Sequence, residues 1–202
     1  GIHCVNMLGC HDGIPLLDLK GLLPDEQIQK LIDTVVARGG YIKNLHGQKN
    51  VYYQINATYY SALGEDDRKM LLARALQLFM PGKPQIWYLD LFAGKNDYEA
   101  VKHAGPGGHK EINRTNLSSG QIEAMLKRAV VAQQLQLLQM RSRYKAFSAD
   151  AFITVQSDTA HMVFAWQAAG QNAILNADLS TCAFTIEVTG TDGALLFRFV
   201  QK

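Results

Sequence analysis

The sequence has little excess charge and no long apolar run. Its 20 lysines and arginines nearly balance its 18 aspartates and glutamates, so the formal net charge of its 202 residues is +2. A basic surface of the kind that binds nucleic acid is therefore not expected. No stretch approaches the roughly 20 apolar residues that a membrane helix needs. The first residues lack the basic and apolar regions of a secretion signal, so we expect a cytoplasmic protein without nucleic-acid or membrane partners.

Cysteine is also scarce. Three cysteines, an odd number, do not form a disulfide framework and suit a reducing compartment. Cys4 and Cys10, with His3 and His11 beside them, are residue types that bind metals. Six residues of extended strand would nevertheless separate the two thiols by about 20 Å, which is too far for one ion. We therefore expect no metal and no cofactor.

The first part of the chain alternates short apolar runs with amphipathic helices. Strands are predicted at residues 4–8 and 84–89. Between them, one helix begins at Pro24, and a longer one follows Glu65. Strand, helix and strand in this order predict a parallel sheet, so we assign residues 1–145 to an α/β domain.

The rest of the chain contains three further segments. Residues 90–116 show no apolar period and are predicted to be a structureless connection, which is usually functional at that length. Residues 121–143 are predicted to form one helix with a solvated basic face. From residue 146 the pattern changes to five short runs rich in Val, Ile, Phe and Thr, which predict a small antiparallel β-domain over residues 146–202 with Trp166 in its core.

A carboxylate follows the first predicted strand. Gly9 ends the apolar run, and His11, Asp12 and Gly13 come directly after it. In a parallel α/β barrel, catalytic side chains lie just beyond the carboxyl ends of the strands. A carboxylate beside an imidazole can bind two neighbouring sugar hydroxyls, because one group accepts hydrogen bonds and the other donates them. The same residues also describe an ordinary turn, and both interpretations stay open.

A tyrosine-rich segment is a second candidate region. At the rim of a polyol pocket each tyrosine ring can stack while its hydroxyl makes a hydrogen bond. The alternative is a helix start packed under a loop. We favour the pocket for Tyr53 and Gln54 and leave both alternatives open for Tyr59 and Tyr60.

Two cationic residues lie in the long connection. Arg114 comes at its end and is placed to reach back toward Asp12, although a solvated surface arginine is the alternative. Lys110 follows a glycine-rich run that begins at Gly105. That run could cradle a phosphate, but it lacks the Gly-Lys-Ser/Thr ending of a P-loop, and a flexible lid is favoured.

Five motifs occur in one order along the chain. They are the His-Asp-Gly turn at His11, Tyr-Gln-Ile-Asn-Ala-Thr-Tyr-Tyr-Ser-Ala-Leu-Gly from Tyr53, Pro-Gly-Lys-Pro-Gln-Ile-Trp-Tyr from Pro81, Ala-Gly-Lys-Asn-Asp from Ala93, and Glu-Ile-Asn-Arg from Glu111. In this combination the chain resembles the carboxyl-terminal part of the sucrose phosphorylase-like members of the α-amylase superfamily. The resemblance implies an α/β fold, the C-terminal part of a (β/α)8 TIM barrel followed by a small antiparallel β-domain.

The resemblance also implies a retaining transfer of an α-glucosyl group from an α-glucoside to inorganic phosphate. Asp12 matches the third catalytic carboxylate, which holds the sugar 2- and 3-hydroxyls and favours the oxocarbenium-like ring. His11 belongs to the same motif. By the same resemblance Arg114 lines the glucosyl subsite and helps to keep Asp12 ionised. Tyr53 and Gln54 match the mobile loop that faces phosphate and the acceptor in turn.

One part of the family's machinery does not occur in these residues. The family's nucleophilic aspartate and acid/base glutamate belong to strands that would precede Gly1, and no second strand-end carboxylate pair replaces them here. We therefore expect the N-terminal half of the same enzyme as a partner, and no phosphorolysis by this chain alone. A homodimer is left open. A catalytically silent sugar-binding module is the hypothesis of a different class.

The acceptor loop departs from the pattern typical of sucrose phosphorylases. The family's Asn-Leu-Asp-x-Tyr-Gln is replaced by Asn50-Val51-Tyr52-Tyr53-Gln54 preceded by a lysine. Val51 stands where an acidic residue would bind a fructosyl group, and Tyr52 adds bulk beside it. A smaller acceptor such as glycerol fits this change, so 2-O-α-glucosylglycerol is favoured over sucrose. Fructose 6-phosphate would need a basic contact that Tyr52 does not supply.

Overall fold

The structure, a computed structural model, describes residues 4–44 and 52–202. Its α-helices are α1 Asp25–Ala37, α2 Tyr59–Ala62, α3 Asp67–Phe79, α4 Tyr88–Leu91, α5 Tyr98–Ala104, α6 Ser119–Leu126 and α7 Ala129–Arg143. Its strands are β1 Val5–Asn6, β2 Ile14–Pro15, β3 Tyr41–Asn44, β4 Tyr52–Asn56, β5 Lys83–Pro84, β6 Phe152–Ser157, β7 His161–Ala168, β8 Gln171–Asp178, β9 Phe184–Thr189 and β10 Leu195–Gln201. Short 3-10 helices cover Leu17–Leu19, Gly108–Asn113 and Lys145–Phe147.

The chain divides into two compact units, each of which is assembled from separate segments. The first unit contains residues 4–6, 71–85 and 132–202, and the second contains residues 7–44, 52–70 and 86–131. The expected domain boundary between residues 145 and 146 stays a prediction. None of the helices in the described ranges has the length and apolarity needed to cross a bilayer.

The five-stranded sheet of the first unit runs in the order β10-β9-β8-β7-β6, with each strand antiparallel to its neighbours. Alternate residues of β9 are buried, so one face of the sheet forms a core. Trp166 on β7 is 3% exposed and donates a hydrogen bond of 2.8 Å from Nε1 to the carbonyl oxygen of Phe79. The predicted β-strand pattern and the core position of Trp166 are therefore confirmed.

The two strands predicted for a parallel sheet pair as expected but are shorter than expected. β1 and β5 are parallel, with Val5 opposite Lys83 and Asn6 opposite Pro84. The prediction that residues 4–8 form a buried strand is wrong, because Val5 is 58% exposed and β1 pairs with β5 alone among the described strands. The strand predicted at residues 84–89 is reduced to Lys83–Pro84. Gln85 N still donates to the carbonyl oxygen of Asn6 at 2.8 Å, and α4 begins at Tyr88.

The second unit is built around α1 and a small antiparallel sheet in the order β2-β4-β3. Ile28, Ile32 and Val35 recur at helical spacing on α1 and pack with Leu16 and Ile55. β4 contains the start of the tyrosine-rich segment, including Tyr53 and Gln54. Ile14 of β2, which follows the His-Asp-Gly turn, lies opposite Ile55 of β4. This pairing places the turn against β4.

Two predictions for the segment after β5, a structureless connection and a single long helix, are wrong. Residues 90–116 are not structureless, because they contain α5 and the 3-10 helix Gly108–Asn113. The Asp97 carboxylate caps the N-terminus of α5 by accepting a hydrogen bond from Ala100 N at 2.9 Å. The single helix predicted over residues 121–143 is two helices, α6 and α7. They are separated at Lys127 and Arg128, and Nη1 of Arg128 donates to the carbonyl oxygens of Phe92 and Ala93.

Candidate active site

The His-Asp-Gly segment forms a tight turn in the second unit. Gly13 N donates to Cys10 O at 2.9 Å and Cys10 N donates to Gly13 O at 3.3 Å, so His11 and Asp12 lie at the tip. Gly13 has a φ of +101°, and a Cβ at this position would lie 2.1 Å from the carbonyl oxygen of Ile55. The turn therefore requires glycine both for its backbone conformation and for its close approach to β4.

Three amide side chains hold the backbone of this turn. Gln54 Nε2 and Asn56 Nδ2, both on β4, donate to the carbonyl oxygen of Asp12 at 2.8 and 2.7 Å. Asn113 Nδ2 donates to the carbonyl oxygen of Cys10 at 2.5 Å. All three side chains belong to buried residues, so their hydrogen bonds are shielded from competing water. They fix the position from which the Asp12 side chain projects.

The Asp12 carboxylate lies between two cations. Lys110 Nζ is 2.5 Å from Asp12 Oδ1, and Arg114 Nη2 is 3.0 Å from the same oxygen. His11 Nε2 lies 3.6 Å from the other oxygen, Oδ2. The Asp12 side chain is 34% exposed, so it is neither turned into bulk solvent nor sealed in a core.

These contacts favour the ionised form of Asp12. The hydrogen bond from Lys110 and the positive charges of Lys110, His11 and Arg114 hold the pKa of the Asp12 carboxyl below its ordinary value, although partial burial acts in the opposite direction. A carboxylate that remains charged near neutral pH can stabilise a developing positive charge.

An aromatic pair lies beside the turn. The ring centroids of Trp87 and His11 are 6.0 Å apart, and those of Trp87 and Tyr88 are 4.5 Å apart. Trp87 Nε1 donates to Asn113 Oδ1 at 3.2 Å, so Asn113 links the indole to the Cys10 carbonyl. Sequence analysis placed Trp87 inside a buried strand and did not connect it with the site.

The structure brings together most of the residues singled out from the sequence. Asp12, His11 and Arg114 meet as the sequence predicts. Gln54 also reaches this cluster, but through its contact with the Asp12 carbonyl. Tyr52 and Tyr53 lie on β4, and Val51 lies outside the described residues, so the roles suggested for all three stay predictions.

Other residues were placed differently or missed. Tyr60, for which two roles were open, is 4% exposed and donates to Asp67 Oδ1 at 2.7 Å, which is a packing role. Sequence analysis missed Lys110, Asn56 and Asn113 as partners of the turn. Lys110 had a signal in its position after a glycine-rich run, and Asn56 and Asn113 had one in the motifs that begin at Tyr53 and Glu111. Among the described residues no group of three His, Cys, Asp or Glu side chains is arranged to hold a metal ion.

We predict that Gln54 and Asn56 support the turn in a coupled way. Either single alanine substitution leaves one donor to the Asp12 carbonyl and should lower the free energy of unfolding by about 1 kcal/mol. The double substitution leaves the carbonyl unpaired and should cost more than the sum of the two single losses. Denaturant titration of the purified variants measures this, with Gln29→Ala at an exposed position of α1 as the control. Strictly additive losses would contradict the shared-acceptor arrangement.

Comparison with known proteins places this fold and site in a family. No protein-family model matches the chain. Over 194 residues it is 53% identical to a sucrose 6(F)-phosphate phosphorylase of Ilumatobacter coccineus, in an alignment covering 92% of this chain and 37% of the relative. It is 36% identical to a glucosylglycerol phosphorylase of Marinobacter adhaerens, covering 94% of this chain and 40% of that protein.

A solved structure agrees with these relatives. The crystal structure of sucrose 6F-phosphate phosphorylase from Thermoanaerobacter thermosaccharolyticum matches with a TM-score of 0.90 and 37% identity, covering 99% of this chain and 40% of that one. The fold is the carboxyl-terminal part of a (β/α)8 barrel followed by a β-domain of antiparallel strands. The chain belongs to the sucrose phosphorylase-like family, and it spans about 40% of the length of the relatives it matches.

Proposed function

We propose that this chain forms part of a retaining phosphorylase that transfers an α-glucosyl group from an α-glucoside to inorganic phosphate and releases α-glucose 1-phosphate. The observation that carries the proposal is the Asp12 carboxylate, held ionised by Lys110 and Arg114 beside His11 at the tip of a fixed turn. The phosphorylase names of the relatives support the reaction class.

The contribution of Asp12 follows from charge and geometry. As the bond from the glucosyl C1 to the leaving oxygen breaks, positive charge develops on the sugar ring. An ionised carboxylate that accepts hydrogen bonds from two vicinal hydroxyls binds this transition state more strongly than the ground state. His11, beside Asp12, can donate a hydrogen bond to the same sugar. In the complete enzyme the carboxylate nucleophile would bond to C1 as the acceptor oxygen leaves with a proton from the acid/base group, and a phosphate oxygen would then attack C1 and release that carboxylate.

The nucleophile and the acid/base group of this reaction belong, in our proposal, to the part of the relatives' length that this chain does not span. That part is the proposed partner. The chain alone should then give no phosphorolysis. Glucose 1-phosphate formed by the isolated 202 residues would overturn this division of the machinery.

Two acceptors have separate support. Val51 and Tyr52 in the acceptor loop favour glycerol, because Val51 cannot hydrogen-bond a polyhydroxylated fructosyl group. Fructose 6-phosphate is the second candidate, because relatives at 53% and 38% identity are both named sucrose 6(F)-phosphate phosphorylase. We propose 2-O-α-glucosylglycerol as the first substrate to test and sucrose 6F-phosphate as the second.

The acceptor is decided by assaying the complete enzyme with phosphate and each of three sugars: 2-O-α-glucosylglycerol, sucrose and sucrose 6F-phosphate. A site that hydrogen-bonds its acceptor discriminates strongly, so we expect kcat/KM for one sugar to exceed the others by at least about 10²-fold. Val51→Asp should raise the relative kcat/KM for sucrose. No glucose 1-phosphate from any α-glucoside would overturn the phosphorylase proposal, and sugar binding without turnover would favour a silent binding module.

A further inference from the structure

Among the described residues, Lys110 is the cation nearest to Asp12, and so far its role is only to keep the carboxylate ionised. It lies on the 3-10 helix Gly108–Asn113, directly after the glycine-rich run in which Gly105 and Gly107 have positive φ angles. Its side chain is 30% exposed, and its Nζ atom is 2.5 Å from Asp12 Oδ1. A contact this short between opposite charges is a charge-assisted hydrogen bond.

The two cations beside Asp12 are not equivalent. Arg114 also pairs with Glu111, with 3.3 Å between Nη1 and Oε1, and its Nε donates to the carbonyl oxygen of His11 at 3.1 Å. Among the described residues Lys110 makes its ion pair with Asp12 alone. Glu111 neutralises part of the charge of Arg114, so Lys110 is the cation whose charge is balanced by Asp12 alone among the ion pairs described.

The two oxygens of the carboxylate are therefore used differently. Oδ1 accepts from both Lys110 and Arg114, whereas within the described ranges Oδ2 has only His11 nearby, at 3.6 Å, which is longer than a hydrogen bond. A carboxylate fixed through one oxygen cannot rotate freely about its last side-chain bond. Oδ2 then keeps one orientation and retains its full capacity to accept hydrogen bonds.

We propose that Lys110 is a positioning residue for the glucosyl transfer: it anchors Asp12 through Oδ1 and so presents Oδ2 to the sugar hydroxyls. This inference rests on the proposed function, because it assigns Oδ2 to the glucosyl group. Lys110 acts through Asp12. Its effect should be greatest where the hydrogen bonds to Oδ2 strengthen, which is in the transition state.

The first test compares Lys110→Met with Lys110→Arg in the complete enzyme. Misplacing a catalytic group slightly costs on the order of 10²-fold in rate, so Lys110→Met should lower kcat by about that factor while KM for the α-glucoside changes little. Lys110→Arg keeps the charge and should recover part of the loss. Lys102→Met is the matched control, because Lys102 lies on nearby α5 with its side chain 78% exposed and should leave kcat unchanged.

The pH profile gives a readout that loss of packing would not move. The charged and titratable groups that face the Asp12 carboxylate are Lys110, Arg114 and His11. Glu111 pairs with Arg114. The neutral side chains of Gln54 and Asn56 contact only the backbone of Asp12. Removing Lys110 removes the largest influence that lowers the pKa of Asp12. The acid limb of kcat/KM should therefore move to higher pH in Lys110→Met, and stay in place in Lys102→Met.

A stability measurement separates this inference from the phosphorylase proposal. The pKa of Asp12 is lower in the folded protein than its ordinary value, so its ion pair stabilises the fold above about pH 4 and this contribution is lost as pH falls through the folded pKa. Lys110→Met should melt below wild type at pH 7, and the two melting temperatures should converge below pH 4. If the wild type shows no phosphorolysis, the proposed function fails while this convergence still tests the ion pair. Lys110→Met that matches Lys102→Met in kcat, acid limb and melting would overturn the inference.

Discussion

Replacing Asp12 with asparagine should lower kcat of the complete enzyme by at least about 10²- to 10³-fold, the loss seen when one preorganised electrostatic group is removed from a transition-state site. Asparagine keeps the size of the side chain and one acceptor oxygen but removes the negative charge. Lys110 and Arg114 would then face each other without a carboxylate between them. Initial-rate measurement of glucose 1-phosphate release gives kcat and KM separately.

The control for this substitution is Asp18→Asn. Asp18 is an exposed carboxylate on the 3-10 helix Leu17–Leu19, in the segment that follows the turn, and its loss should leave kcat unchanged. Circular dichroism and melting temperature establish that Asp12→Asn is folded. A folded Asp12→Asn enzyme that retains wild-type kcat would remove the carboxylate from the reaction and with it the proposed mechanism.

The sequence predicts those features of the fold that depend on local pattern. Runs rich in Val, Ile, Phe and Thr predict the five antiparallel strands, and helical spacing predicts the buried side of α1 at Ile28, Ile32 and Val35. The pattern is clearest where one face of the element is buried, as in β9 and α1. The strand predicted at residues 84–89 failed after its first residues: its apolar residues do not alternate, and the chain turns into α4 at Tyr88 shortly after the last bond to β1, from Gln85 N to Asn6 O.

The sequence predicts the turn that carries Asp12, but not the side chains that hold this turn in place. His11, Asp12 and Gly13 are adjacent in sequence, so a strand end and a turn signal are enough to single them out. Lys110, Asn113 and Asn56 reach the turn from distant segments, and a single sequence does not specify which distant polar side chains converge. The 3-10 helix that carries Lys110 and Asn113 has no apolar period, which is why the connection was predicted to be structureless.

The side chains that contact Asp12 explain how a partly exposed carboxylate can be held in one place. Its backbone carbonyl is fixed by Gln54 and Asn56, and its Oδ1 is fixed by Lys110 and Arg114. Surface ion pairs by themselves contribute little to stability because water screens them. At Asp12 the buried amide contacts remove the freedom of the backbone, so the ion pairs have only the last side-chain torsions to fix.

Gly13→Ala should be the most destabilising small substitution in this part of the chain. An alanine here must adopt the φ of +101°, and its Cβ would lie 2.1 Å from the carbonyl oxygen of Ile55. The added Cβ and the Ile55 carbonyl cannot move apart without breaking the pairing of β2 with β4, in which Ile14 lies opposite Ile55. The strained φ and the clash together should lower the free energy of unfolding by about 3 kcal/mol or more. Displacement of Asp12 should also reduce kcat.

Gly21→Ala separates the two causes of that loss. Gly21 has a similar φ of +84°, but a Cβ there meets nothing within 4 Å, so its substitution has only the backbone strain. We expect a loss of about 1 kcal/mol for Gly21→Ala in denaturant titration, with kcat unchanged. The difference between the two variants then measures the contact between the turn and β4. Equal losses for Gly13→Ala and Gly21→Ala would mean that β4 yields to the added methyl group, and the turn would not be fixed rigidly enough to position Asp12.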